Sequence, residues 1–271
     1  TRVRSSAASD VYKRQVFISE VGGLPAIQMV RLDGQGLQTL YCNPPTQYSY
    51  QQVILGILLS PDQKLLAFYT GLSQDLETFE LLNMTNGIVQ RALQPPGNST
   101  GYEPAMWLNG TQLYVRRYPL FKSALLLLDT SKGADQPISA LTDLVDSPDL
   151  TDYALSPDHT QLFTSYCQVC GQGIFIGPSS ISVQPATGTT QHTIYTVAKG
   201  AILSLIATSN TRLLFYISSY SEDPTRPADT SQVGAWEINT DGSDLIRLTN
   251  GNADVARYDP FDISKDGKWY I

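Results

Sequence analysis

A turn followed by an apolar or aromatic-ended strand recurs five times along the chain, and such a repeat limits the fold more than any compositional figure does. Ser60-Pro61-Asp62-Gln63 leads into Lys64-Leu65-Leu66-Ala67-Phe68-Tyr69, and Leu108-Asn109-Gly110-Thr111 leads into Gln112-Leu113-Tyr114-Val115. Ser156-Pro157-Asp158-His159 precedes Gln161-Leu162-Phe163, and Thr208-Ser209-Asn210-Thr211 precedes Arg212-Leu213-Leu214-Phe215-Tyr216. Ser264-Lys265-Asp266-Gly267 precedes Lys268-Trp269-Tyr270-Ile271. Anchored on Asp62, Asn109, Asp158, Asn210 and Asp266, the intervals are 47, 49, 52 and 56 residues. Proline presets one dihedral, Asp or Asn bonds its own backbone, and Gly or Asn accepts a left-handed conformation, so each turn closes a hairpin.

Between these anchors lies a second kind of turn, Asp33-Gly34, Asn86-Gly87 and Asp241-Gly242, flanked by strands such as Ala235–Asn239 and Leu245–Thr249. Each period therefore holds about four strands, the content of one blade of a β-propeller. The Ser-Pro-Asp turn with its aromatic-ended strand, and Asp241-Gly242-Ser243 followed by Arg247-Leu248-Thr249, resemble the WD40-like repeats of TolB-type propellers, found also in tricorn and prolyl-oligopeptidase-type peptidases. The resemblance runs from Val16 to Ile271; the second repeat lacks Ser-Pro, and the fourth lacks both Pro and Gly. The expected fold is all-β: a β-propeller fragment of about five four-stranded blades, incomplete at both ends and forming an open arc. Its terminal edge strands are expected to be prone to pairing with other chains.

Ser5 to Gln15 resembles the in-frame translation of a transposase-type sequencing adapter, so residues 1–15 are read as a non-native segment and 16–271 as the propeller domain. The discarded part holds Arg2, Arg4, Lys13 and Arg14 against Asp10; without it the formal charge of −7 becomes about −10. A chain so acidic, with no Lys/Arg run, does not suit a phosphate backbone, and nucleic acid is not an expected partner. No apolar run reaches the length of a membrane span, and Val53–Leu59 and Ala124–Leu128 have the length of buried strands. Only 16% of residues are charged, and Tyr, Ser, Thr, Gln, Gly and Pro are plentiful, which favours strands joined by turns.

Few residues signal chemistry. Gly97-Asn98-Ser99-Thr100-Gly101 has the spacing of a serine-hydrolase elbow, but Pro95-Pro96 before it and Tyr102-Glu103-Pro104 after it do not supply the required strand and helix. Cys167-Gln168-Val169-Cys170 is a C-x-x-C; Cys42, His159 and His192 show no paired ligand spacing, so no metal is expected. A disulfide or two quiet thiols remain for Cys167 and Cys170, and an oxidised pair implies an extracytoplasmic compartment. His159 falls in a repeat turn and His192 in a polar run; both read as surface residues. Asn83, Asn98 and Asn109 head glycosylation sequons, which matter only in a eukaryotic secretory pathway.

Tyr102-Glu103-Pro104 and Tyr258-Asp259-Pro260 recur before the hairpin, with Asp152-Tyr153 in a comparable place. In TolB-type propellers these loops run toward the central funnel, so the resemblance implies that Tyr102, Glu103, Asp152, Tyr153, Tyr258 and Asp259 line one mouth suited to basic peptides or cations. The competing reading is that Asp and Pro simply make good turns there. Asp143, Asp146 and Asp149 add to the acidic character of that stretch. The functional expectation is a non-catalytic propeller, periplasmic or extracellular, that binds a protein or peptide partner through loops at one face and needs no cofactor. Two alternatives stay open: the gating propeller of a serine peptidase, and a propeller-based carbohydrate-active enzyme.

Overall fold

The structure, a computed structural model, describes residues 14–45, 53–71, 78–93, 100–119, 123–147, 149–171 and 174–249. These residues form strands, turns and short 3-10 segments. Sheet I is built from Arg14–Val21, Leu24–Arg31 and Gln38–Cys42, and sheet II from Val53–Leu59, Leu65–Gly71, Thr78–Asn83 and Val89–Arg91. Sheet III holds Thr100–Trp107, Gln112–Pro119, Ser123–Asp129 and Thr142–Ser147. Leu150–Leu155, Gln161–Cys167, Ser179–Pro185 and His192–Val197 make sheet IV; Ala201–Ser209, Arg212–Ser218, Gly234–Asn239 and Ile246–Arg247 make sheet V. Every sheet runs its strands in chain order, the meander of a propeller blade. Arg14 and Gln15, read above as non-native, continue the first strand by pairing with Arg31 and Val30.

The repeat turns stand where the sequence puts them. The turns at Asp62, Asn109, Asp158 and Asn210 join first to second strands, and Asn86-Gly87 and Asp241-Gly242 join third to fourth. Asp33-Gly34 follows Leu24–Arg31, which aligns the three strands of sheet I with the last three of the other sheets. The fifth repeat lies outside the described residues.

The Ser-Pro-Asp turn is held by one hydroxyl. Ser156 Oγ donates to Asp158 Oδ1 at 2.7 Å and accepts from the amides of Thr160 at 3.1 Å and Gln161 at 2.9 Å. Ser60 repeats the arrangement with Asp62 at 2.8 Å and the Leu65 amide at 3.0 Å. Such a turn needs a left-handed residue after the aspartate, and Gln63 and His159 occupy that slot with φ of 59° and 60°. Because Ser156 is buried, Ser156→Ala removes the hydroxyl that accepts the Gln161 amide and one of the two acceptors of the Thr160 amide, and is expected to cost about 1–3 kcal/mol, read as a lower urea midpoint.

The turn aspartates also set a pH dependence. The Ser156 and Thr160 hydroxyls hold the Asp158 carboxyl below the usual carboxylate range; the Ser60 hydroxyl does the same for Asp62, and Ser231 takes Asp229 down to about 2. A carboxyl whose pKa falls on folding stabilises fully above its unfolded value near 3.8 and loses that contribution as pH drops through the folded value. Tm is therefore expected to hold down to about pH 5 and to fall steadily from there toward pH 2, with a smaller fall in Asp158→Asn.

The chain divides into two compact units, Thr1–Leu120 with Leu125–Thr142, and Phe121–Ala124 with Asp143–Ile271. In the first, Leu66 and Phe68 pack with Ile27 and Leu82, while Ala67, on the opposite face of the same strand, packs with Leu81, Leu113 and Val115. A strand covered on both faces has no solvent side, which is why Leu65–Gly71 does not alternate apolar with polar. In the second unit, Phe163, Ile181 and Val183 of sheet IV meet Leu213, Phe215, Ile217 and Trp236 of sheet V.

Sheets IV and V share an addition. Cys170–Gly171, Ile174–Phe175 and Tyr220–Ser221 form a small three-stranded sheet inserted between regular strands of both. The longer repeat intervals of 52 and 56 residues contain these insertions.

Candidate functional site

Of the residues singled out before the hairpins, Tyr102, Glu103, Asp152 and Tyr153 lie on strands rather than in loops. Tyr102 and Glu103 belong to the first strand of sheet III, where Tyr102 is buried in the core of the first unit. Glu103 Oε1 lies 3.6 Å from Arg116 Nη1, and the Tyr69 hydroxyl stands 3.5 Å from Oε2. Asp152 and Tyr153 belong to the first strand of sheet IV. Asp152 Oδ2 accepts the Leu205 amide at 2.6 Å, and Oδ1 accepts the Tyr153 amide at 2.8 Å.

That bond has a local cause. The first strand of sheet V slips register between Leu203 and Ile206, with Ser204 at a φ of 54°, so the bulge turns the Leu205 amide away from its own sheet. The Asp152 carboxylate takes it up, and Thr151 Oγ1 donates to Ile202 O at 3.0 Å beside it. Asp152 is thus a seam between sheets IV and V. Tyr258 and Asp259 lie outside the described residues.

A site of a different kind stands beside sheet IV. The middle strand Ser179–Pro185 alternates hydroxyl or amide side chains, Ser180, Ser182 and Gln184, with Ile181 and Val183. The apolar set enters the core against sheet V, so the polar set shares the opposite face. Register adds to that face: Tyr166 and Thr196 flank Ser180, and Thr164 and Thr193 flank Ser182. Leu144–Asp149 borders this face and encloses with it a cleft of about 580 Å³. Leu144, Asp146 and Asp149 form one wall; Tyr166, Ser180, Ser182, Thr193 and Thr196 form the floor. No Lys, Arg or His is among its lining residues.

Internal hydrogen bonds engage Tyr166 and the groups around the floor. Thr164 Oγ1 donates to Tyr166 Oη at 2.9 Å, and the Tyr166 hydroxyl donates to Gln191 Oε1 at 2.8 Å. Burial raises the pKa of Tyr166 above the usual phenol value, so this donor stays protonated at neutral pH. Ser179 gives its proton to Gly200 O at 2.7 Å. Gln184, 2% exposed, spends its amide N–H groups on Leu144 O at 3.4 Å and Gly188 O at 2.6 Å, while its Oε1 is buried without a partner.

The C-x-x-C sits at the rim. Cys167 and Cys170 are joined in a disulfide, and the Cys167 amide donates to Asp149 O at 2.8 Å while its residue pairs with Ser179. The disulfide hairpin thereby carries two lining positions, Asp149 and Ser179. Sequence reasoning noted Asp146 and Asp149 but missed the floor; the signal was Ser180-x-Ser182-x-Gln184 set against Ile181 and Val183.

The remaining motifs are local. Thr100 and Gly101 open a strand, whereas a nucleophile elbow needs a helix there, and Gly97–Ser99 lie outside the described residues. Asn83 and Asn109 turn their side-chain oxygens onto the amides of Thr85 and Thr111, each at 2.9 Å. Among the described residues no group of three or more His, Cys, Asp or Glu is placed to hold a metal, and no helix is long and apolar enough to cross a membrane.

The sequence matches no protein-family model and no curated protein. Its fold matches many solved structures. Prolyl oligopeptidase B from Galerina marginata aligns over 94% of this chain and 36% of its own, with 11% identity and a TM-score of 0.61. The β-propeller domain of the Trilobed protease from Pyrococcus furiosus aligns over 87% and 67%, with 10% identity and a TM-score of 0.55. A putative TolB from Agrobacterium tumefaciens aligns over 91% and 87%, with 16% identity and a TM-score of 0.51. The chain thus spans about a third of the peptidase but most of the putative TolB. At these identities the likeness is one of fold, and it agrees with the meander sheets and repeat turns: the chain has the blade architecture of a β-propeller, similar in fold to the propellers of these proteins.

Proposed function

We propose that this chain is a non-catalytic propeller module that binds a protein or peptide partner, with the cleft beside sheet IV as a contact site. One observation carries the reading: a cleft of about 580 Å³, within the size range of ligand sites, displays hydroxyls, amides and two carboxylates on a rigid sheet face. Sheet strands hold such groups in fixed register, which suits recognition of an extended chain. The Cys167–Cys170 disulfide supports a periplasmic or extracellular setting, where such bonds persist.

The experiment is selection of a random peptide library on the purified chain. Recovered peptides are expected to bind in solution and to emerge uncleaved; failure to enrich any sequence over the bare support sinks the reading. The fold likeness to peptidase propellers favours a second reading, a module that gates a hydrolase domain. Extending the coding sequence distinguishes the two: a strand, a Gly-x-Ser-x-Gly elbow and a helix, followed by Asp and His, would select the gating role.

A further inference from the structure

We infer that the Cys167–Cys170 bond is a site of thiol–disulfide exchange, attacked at Cys170 by an external dithiol. Its opening releases the small inserted sheet from sheet IV while the blades stay folded. This goes beyond the peptide-binding reading and does not rest on it.

What the bond can hold is set by its place in the chain. The two cysteines stand three residues apart, and a disulfide closing so short a loop removes little freedom from the unfolded chain, so it adds little to the stability of the whole domain. Its effect is local. Cys167 ends the second strand of sheet IV, where its backbone pairs with Ser179 and its amide donates to Asp149 O. Cys170 opens the inserted sheet by pairing with Phe175, which pairs in turn with Tyr220. Each strand of that sheet is two residues long, below the length at which strands stand alone. The disulfide therefore fixes a sheet too short to hold itself by its own ladder onto the end of a rigid strand.

Access decides which sulfur reacts. Cys167 is 2% exposed, whereas Cys170 is half-buried, so an incoming thiolate meets the Cys170 side of the bond. The thiolate of the dithiol attacks Cys170 Sγ, a mixed disulfide forms, the Cys167–Cys170 bond breaks, and Cys167 leaves as a thiolate that takes a proton from water. The second thiol of the dithiol loses its proton to solvent and attacks its own partner sulfur in the mixed disulfide. That step expels Cys170 as a thiolate, which is protonated in turn, and the reductant departs as a cyclic disulfide. Two electrons and two protons have passed from the dithiol to the pair. Catalytic Cys-x-x-Cys pairs draw a lowered thiol pKa from a helix N-terminus. Here one cysteine ends a strand and the other opens one, so the pair is acted on rather than acting.

The test uses the full chain carrying Cys42→Ser, because Cys42 is an exposed free thiol that would react alongside the pair. Dithiothreitol is expected to reduce the pair under native conditions. Hydrogen exchange at the Ile176 amide, which donates to Val169 O at 3.2 Å, is expected to quicken at least about tenfold on reduction. The strands Gln161–Cys167 and Arg212–Ser218 are expected to keep their protection, and Tm to shift little. Cys167→Ser with Cys170→Ser is expected to reproduce the reduced state without any reductant. In the single variants, the Cys170 left by Cys167→Ser is expected to react with iodoacetamide at least about tenfold faster than the Cys167 left by Cys170→Ser. Reduction that proceeds only in unfolding concentrations of urea, equal alkylation of the two single variants, or unchanged exchange at Ile176 after reduction overturns the proposal. Unfolding of the whole domain on reduction does so too, since the bond would then be a staple of the fold and not a local latch.

Discussion

Replacing Phe215 with alanine is expected to lower stability by about 3–5 kcal/mol, the range for deleting a fully buried aromatic ring. Phe215 is 0% exposed and sits at the centre of the core between sheets IV and V. Its ring lies 5.3 Å from that of Tyr195 at a tilt of 46°, and its backbone pairs with Trp236. Sheet faces pack along rigid surfaces, so neighbouring strands cannot close the vacated volume without breaking their own ladders. Urea unfolding measures the effect as a lower midpoint at constant slope. A loss under about 1 kcal/mol would mean that sheets IV and V do not share this core.

Gly177→Ala is the second large effect, for a different reason. Gly177 has a φ of 77°, and a Cβ added there meets Gly200 O at 2.6 Å and Gly200 N at 2.9 Å, backbone atoms that cannot swing aside. Gly200 is itself fixed, its amide donating to Ile176 O at 2.9 Å and its carbonyl accepting from Ser179 Oγ. Gly87→Ala is the control: its φ is 73°, but nothing lies within 4 Å of the added atom. That control is expected to lose about 1–2 kcal/mol from the left-handed backbone alone. Gly177→Ala should lose clearly more, about 3 kcal/mol or above, because strain and steric clash act together. Pro178 and Ser179 line the cleft, so peptide binding is expected to weaken in Gly177→Ala and to persist in Gly87→Ala. Equal stability of the two variants would show that the approach of Gly177 to Gly200 is not rigid.

The blade repeat was legible because its determinants are local. Ser156, Asp158 and Thr160 satisfy one another within five residues, and Asp241-Gly242 sets its turn through its own backbone, so turn chemistry alone marks where strands end. The insertions left only a trace, in the longer intervals between anchors, because a strand as short as Ile174–Phe175 carries no period. Asp152 shows the limit of local reading. Beside a tyrosine before a hairpin it reads as a funnel carboxylate or as a turn former, and no neighbour in sequence signals the bond it makes in the fold: a bulge in the next sheet supplies an amide to its Oδ2.

The all-β class, the position of every described repeat turn and the strand content of each period are written in the order of residues, since turns and alternation depend on neighbours a few residues apart. The cleft was decided by tertiary structure. Alternation in Ser179–Pro185 separates a hydroxyl face from an apolar one but does not say what each face meets. Only packing against sheet V assigned Ile181 and Val183 to the core, and only the return of Leu144–Asp149 set two carboxylates beside Ser180 and Ser182. Contacts between segments far apart along the chain depend on how sheets stack, and the repeat leaves no mark of them in any one strand.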